Sequence, residues 1–150
     1  MNGLHADPLF RFLYPPNWKL EESGDEDARA VDVESPDRMA YLQVSLHPER
    51  DYLDVLEEAL GVMVSEYEGL HSTALEASID GQTAQGYDIE FVSLDFPIGC
   101  ILRAIETPEG AMLIQGQWSE VDDDTTTVTN GDVVAAMVTS IELSFTYDDE

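Results

Sequence analysis

Alternation of apolar and polar residues dominates positions 70–119, and it predicts four strands joined by tight turns. The first strand spans 72–79 and runs into Asp80-Gly81. Asp-Gly between alternating residues is a strong hairpin signal, because a type I′ turn needs positive φ at both central positions. The chain returns over 82–94, with Tyr87, Ile89 and Phe91 on one side of the pleat and Asp88 and Glu90 on the other. Residues 95–99, which include Pro97 and Gly99, read as the second turn. The strand over 100–107 is more continuously apolar and belongs at the centre of a sheet. Thr107-Pro108-Glu109-Gly110 closes a third turn, with proline where its fixed φ is already correct. In the last strand, 111–119, Met112, Ile114 and Trp118 share one face while Gln115 and Gln117 take the other. The pattern describes a sheet with one covered face and one wet face.

Upstream, Phe10, Phe12 and Tyr14 alternate with Arg11 and Leu13 as a half-buried strand, stopped by Pro15-Pro16-Asn17. Trp18 and Leu20 open a second strand that runs out in the acidic stretch 21–27, expected to be a solvated hairpin tip. Asp25, Glu26 and Asp27 lack the spacing of an EF-hand loop. Short strands follow over 30–34 and 40–46, the latter with Ala40, Leu42, Val44 and Leu46 opposite Tyr41, Gln43 and Ser45. The one long helix spans 51–68, where Leu53, Leu56, Leu60, Met63 and Tyr67 recur at spacings of three and four. Asp51 is its expected N-cap and Gly69 its expected C′ residue. After a polar stretch containing Asp122-Asp123-Asp124, Asn130 is expected to cap a short helix with Val134, Met137, Val138 and Ile141 inward. A period of two at Ile141, Leu143 and Phe145 marks a closing strand, and 147–150 form an acidic tail. Residues 1–150 thus read as one α+β domain, an antiparallel β-sheet covered by one long and one short helix.

Composition changes this picture in one respect. The chain has 32 acidic residues, five arginines and the single lysine Lys19, for a formal charge of −26. A polyanionic surface repels phosphate, which argues against nucleic acid and anionic membranes as partners. It also strains the compact state by self-repulsion unless salt screens it. The readings are adaptation to a salt-rich cytoplasm, which is favoured because lysine is almost eliminated, and an ordinary acidic protein or one with a basic partner. No stretch approaches the ~18 apolar residues a spanning helix needs. Residues 1–13 show no basic segment followed by an apolar run, so the expected location is the cytoplasm. Cys100 is the only cysteine and lies in an apolar strand, where a buried inert thiol is expected.

The opening Phe10-x-Phe12-x-Tyr14-Pro15-x-x-Trp18 resembles the first strand and turn of the Mog1/PsbP-like α/β/α sandwich domains. The strand pair before the helix, the Asp80-Gly81 hairpin and Val138-Thr139-Ser140-Ile141 before the last strand are similar too, so the likeness spans most of the chain. The resemblance implies binding rather than catalysis, since the family includes a nuclear-transport factor that binds a small GTPase and an extrinsic photosystem II subunit. It implies no particular site residue.

Candidate chemistry is sparse. His5, His47 and His71 are scattered without zinc-ligand spacing, and no phosphate loop or nucleophile elbow occurs, so no metal, cofactor or catalytic residue is expected. Four residues are binding candidates. Arg103 interrupts Ile101 and Ile105 on one strand face, either as an anchor for an anionic group or as half of an ion pair with a neighbouring acid such as Glu90. Trp118 is either a hot spot or core, with Gln115 and Gln117 behind it. The expected function is a non-catalytic binding or adaptor module with a protein partner, with self-association into a homodimer left open. The alternatives are a small hydrolase or isomerase using carboxylates, and a carrier holding a small apolar ligand beneath Met63 and Tyr67.

Overall fold

The computed structural model describes residues 3–6, 9–24, 29–119 and 129–144. Ten strands and two helices occur among them: β1 (Gly3–Ala6), β2 (Phe10–Tyr14), β3 (Lys19–Gly24), β4 (Arg29–Glu34), β5 (Ala40–Pro48), α1 (Tyr52–Glu66), β6 (His71–Ile79), β7 (Gln82–Ser93), β8 (Phe96–Thr107), β9 (Gly110–Ser119), α2 (Asn130–Thr139) and β10 (Glu142–Leu143). Seven strands form one antiparallel sheet in the order β3-β4-β5-β9-β8-β7-β6, and β1-β2-β10 form a second, small one. The protein is therefore α+β, with β6 to β9 as the expected meander. The acidic stretch 25–27, Asp122 to Asp124, Phe145 and the tail 147–150 lie outside the described residues.

The sheet is not wet on one face. Ala111, Met112, Leu113 and Ile114 are buried in succession along β9, which requires cover on both sides. Met112 and Ile114 join a core built with Phe10, Phe12, Val134 and Met137, beneath α2 and the small sheet. Ala111 and Leu113 join another with Leu56, Met63, Ile89 and Leu102, beneath α1. The helices are staggered. α1 packs on β7, β8 and β9, whereas α2 packs on β5, β9 and β2. α1 thus leaves the β3–β5 half of its sheet face less covered among the described residues. On the other face the small sheet supplements α2, its Phe10 and Phe12 sharing a core with Ile79 and Ala84.

Turn chemistry sets the meander. Asp80 and Gly81 have φ of 47° and 81°, the two positive values of a type I′ turn. The second turn is Leu94-Asp95, at φ 51° and 70°, with Ser93 paired to Phe96, and not residues 95–99. Pro97 and Gly99 instead belong to β8. Pro97 lies beyond Ile98, the last residue of β8 paired to β9 among the described residues, so no described partner asks for its missing N–H. At the third turn, Thr107 Oγ1 accepts the Gly110 N–H at 3.0 Å.

The helix ends also differ in detail from expectation. Asp51 caps α1 by accepting the N–H groups of Leu53 and Asp54 at 3.1 and 3.2 Å. The C-cap is Tyr67 in extended conformation, so Gly69 at φ 69° sits one residue beyond C′. Leu53, expected in the apolar stripe, is 44% exposed, because the first turn buries Val55 instead. Tyr87 donates to Glu57 Oε1 at 2.5 Å and ties the outer side of α1 to β7. The cap of α2 is Thr129, in a capping box with Asp132, and not Asn130. Asn130 instead donates to Asp37 Oδ2 at 3.4 Å, linking α2 to the β4–β5 turn. Among the described residues the closing strand, β10, consists of Glu142 and Leu143, which pair with Arg11 and Phe10 of β2.

Candidate functional site

The open half of the α1 face is made by β3, β4 and β5, with the edge of β9. Pairing of β5 with β9 sets Tyr41 opposite Gln117, and Gln43 opposite Gln115. Because directly opposed residues share a face, all four side chains rise on the side where α1 lies. Gln115 Nε2 donates to the Tyr41 hydroxyl at 3.1 Å, and that hydroxyl donates to Gln117 Oε1 at 3.3 Å. One strand further out, Gln43 Nε2 donates to Asp32 Oδ1 at 2.8 Å. The result is a hydrogen-bonded trio of two amides and a phenol on β5 and β9, with a separate amide–carboxylate pair beside it on β5 and β4.

Two adjoining depressions share Tyr41. One, of about 220 Å³, has Gln115 and Gln117 as its floor and Ala59, Val62, Met63, Glu66 and Tyr67 as its wall. The other, of about 400 Å³, is lined by Lys19, Glu21, Asp32, Glu34, Tyr41 and Gln43. The wall from α1 is mostly apolar and the floor is polar and uncharged, so the groove suits an amphipathic segment lying against it. Burial pushes the Tyr41 hydroxyl up to about 12, an effect the hydrogen bond from Gln115 partly offsets. At neutral pH the residue is therefore a neutral donor and acceptor. The acids along the outer rim make the groove electrostatically receptive to cations.

Met63 and Tyr67 are packed by the residues beneath them. The Met63 sulfur lies 3.6 Å from Cys100 Sγ, and the Tyr67 ring stacks on Phe91 with centroids 4.1 Å apart. Burial pushes the Cys100 thiol up to about 12, as an inert core thiol requires. His47 lines a separate depression with Leu9, Arg29 and Glu109, and shares a hydrogen bond of 2.9 Å with Ser45. Among the described residues, no three His, Cys, Asp or Glu side chains gather to hold a metal.

The four sequence candidates do not form one site. Gln115 and Gln117 lie in the groove, while Arg103 and Trp118 lie on the opposite face of the sheet. Arg103 stands opposite Gly86, so its neighbouring acid is Asp88 and not Glu90. Nη2 donates to Asp88 Oδ1 at 2.8 Å, and Nη1 donates to the carbonyls of Tyr87 and Leu102 at 3.1 and 2.9 Å. Trp118 packs into the core beneath α2, against Gly99 and Gly131. Tyr41, Gln43 and Asp32 were not candidates. The signal present in the sequence was the alternation that set Tyr41 and Gln43 opposite the core residues of their strand. What it could not provide was the long-range β5–β9 pairing.

A separate apolar cluster stands at the tip of the β7–β8 hairpin. Among the described residues, 91–97 pair only with one another, since the pairing of β6 ends at Glu90 and that of β9 at Ile98. At this tip Val92 is 66%, Leu94 89% and Phe96 46% exposed. No helix among the described residues is long and apolar enough to cross a membrane.

No family model and no curated protein sequence matches the chain. Two of the solved structures similar to it illustrate the likeness. One is a protein of Bacteroides thetaiotaomicron VPI-5482, with TM-score 0.55 and 15% identity over 91% of this chain and 45% of that one. The chain therefore spans less than half of that protein's length. The other is LpqN of Mycobacterium tuberculosis, described as involved in cell envelope biogenesis, with TM-score 0.53 and 18% identity over 93% of this chain and 87% of that one. At these identities the likeness is one of fold.

Proposed function

We propose that this chain is a non-catalytic adaptor module that binds a short segment of a protein partner in the groove between α1 and β5. The observation that carries the reading is the position of Tyr41. It joins Gln115 and Gln117 into a neutral hydrogen-bonding floor at the foot of an apolar helix wall. Amide side chains that donate and accept in one plane match the polar groups of an extended peptide backbone. The apolar wall would take one aliphatic or aromatic side chain. Glu66, Glu34 and Asp32 on the rim favour a flanking lysine or arginine.

The polyanionic surface supports placement in a salt-rich cytoplasm, where screening makes a charge of −26 tolerable. The layered arrangement, α1 on one face and α2 with the small sheet on the other, supports the Mog1/PsbP-like assignment suggested by the opening strand and turn. Calorimetric titration with short synthetic peptides tests the reading. A peptide with an apolar residue next to an arginine should bind, and its counterpart with glutamate for arginine should not. Gln115→Ala and Gln117→Ala together should abolish the heat. Equal binding of both peptides, or binding indifferent to the two glutamines, would sink the assignment.

A further inference from the structure

The two outer strands of the large sheet are built differently. β3 is six residues long and carries Lys19, Glu21 and Glu22, the charges by which edge strands discourage pairing. β6 is nine residues long, has Glu76 as its only acid, and contains neither lysine nor proline. Its pairing with β7 runs unbroken from His71 to Ile79, so no bulge turns the edge aside. Among the described residues β6 pairs with β7 alone, leaving its other side as a template for one more strand.

We propose that this strand is supplied by a second copy of the chain, so that two seven-stranded sheets fuse across an antiparallel β6–β6 seam. The sequence HSTALEASI is suited to pairing with itself about its central residue, Leu75. In that register Leu75 meets Leu75 of the other copy, Thr73 meets Ala77, and Ser72 meets Ser78. Glu76 falls opposite Ala74, so no two acids are directly opposed across the twofold. Each Glu76 already accepts a hydrogen bond from Gln85 of its own chain at 3.1 Å. In a chain of charge −26, β6 is the outer strand along which two polyanions can approach with the fewest acids at the seam. The seam lies at the end of the sheet away from β3, β4 and β5, so it leaves the groove at Tyr41 free and is tested independently of peptide binding.

Sedimentation equilibrium of the full chain decides the matter. The expected result is a mass moving from 16.6 kDa toward twice that value as concentration rises. Dimerisation should tighten between ~0.1 and ~1 M salt, as the screening length falls from ~10 to ~3 Å. Ala74→Lys places a cation opposite Glu76 twice per dimer and should lower the low-salt dissociation constant roughly 2- to 30-fold. Ser72→Glu with Ser78→Glu, both at exposed positions, opposes acids across the seam and should yield a monomer with unchanged circular dichroism. A monomer at every concentration and salt, or a dimer that neither variant alters, would overturn the proposal.

Discussion

The Trp118 indole occupies the space that a side chain at Gly99 would fill. The two residues are paired across β8 and β9, and a Cβ on Gly99 would lie 2.5 Å from the ring. Gly131 of α2 closes on the same indole, where a Cβ would come within 2.8 Å of Nε1. One tryptophan thus joins the sheet to the start of α2, and both glycines exist to let it lie flat. Gly99→Ala should destabilise the fold by about 1–3 kcal/mol through overpacking. Denaturant unfolding measures it, and a neutral outcome would mean that the indole does not lie there.

Arg103 and Asp88 should respond unequally to removal. The arginine side chain is 13% exposed and serves two carbonyls besides its acid, whereas the Asp88 side chain is 57% exposed. Arg103→Ala should cost about 1–3 kcal/mol, because it withdraws a charged donor from partly buried carbonyls. Asp88→Ala should cost less than about 1 kcal/mol, the range of a solvated pair. Equal losses in chemical unfolding would refute the description of Arg103 as a structural clamp.

The Leu94-Asp95 turn holds two residues with side chains in the left-handed region, and Leu94 gains no packing in return, being 89% exposed. Leu94→Asn keeps the turn and relieves a strain of roughly 1 kcal/mol, since asparagine adopts positive φ readily. The melting temperature should rise. A fall would show that the exposed leucine does contribute to the fold.

How much of this was legible varied with range. The Asp80-Gly81 and Thr107 to Gly110 turns spelled themselves out, because their φ demands select particular residues. The turn between them did not, since Leu94 violates those preferences while Pro97 and Gly99 imitate turn punctuation. Pro97 has no described partner on the β9 side, and Gly99 is demanded by Trp118, and both causes lie outside the local sequence. Thr129 and Asp132 did spell a capping box, and the adjacent Asn130 drew attention away from it. Gln115 and Gln117 were recognisable from alternation alone, but Tyr41, 74 residues before Gln115, was not. Only the pairing of β5 with β9 makes them one site.

Alkaline pH should expose the burial of Tyr41. Its folded-state value is raised from 10.0 to about 12, so the protonated form is the one the fold protects. The stability it lends is fully present below pH 10 and is lost as pH rises toward 12, because the unfolded chain releases its proton first. Tyr41→Phe should remove about 2 kcal/mol from that alkaline loss. Cys100 contributes in the same direction, from 9.0 to about 12, and Cys100→Ala should flatten the earlier part of the decline. Urea midpoints measured from pH 8 to 12 would register either change, and an alkaline limb untouched by Tyr41→Phe would contradict the burial.

The groove itself is tested most directly by the side-chain amide resonances of Gln43, Gln115 and Gln117 in a nitrogen-15-labelled sample. On titration with the peptide bearing an apolar residue beside arginine, the Gln115 and Gln117 signals should move together and saturably. The backbone signals of Arg103 and Trp118, on the opposite face, should stay in place. Movement confined to that opposite face, with the two glutamine amides unperturbed, would contradict the account.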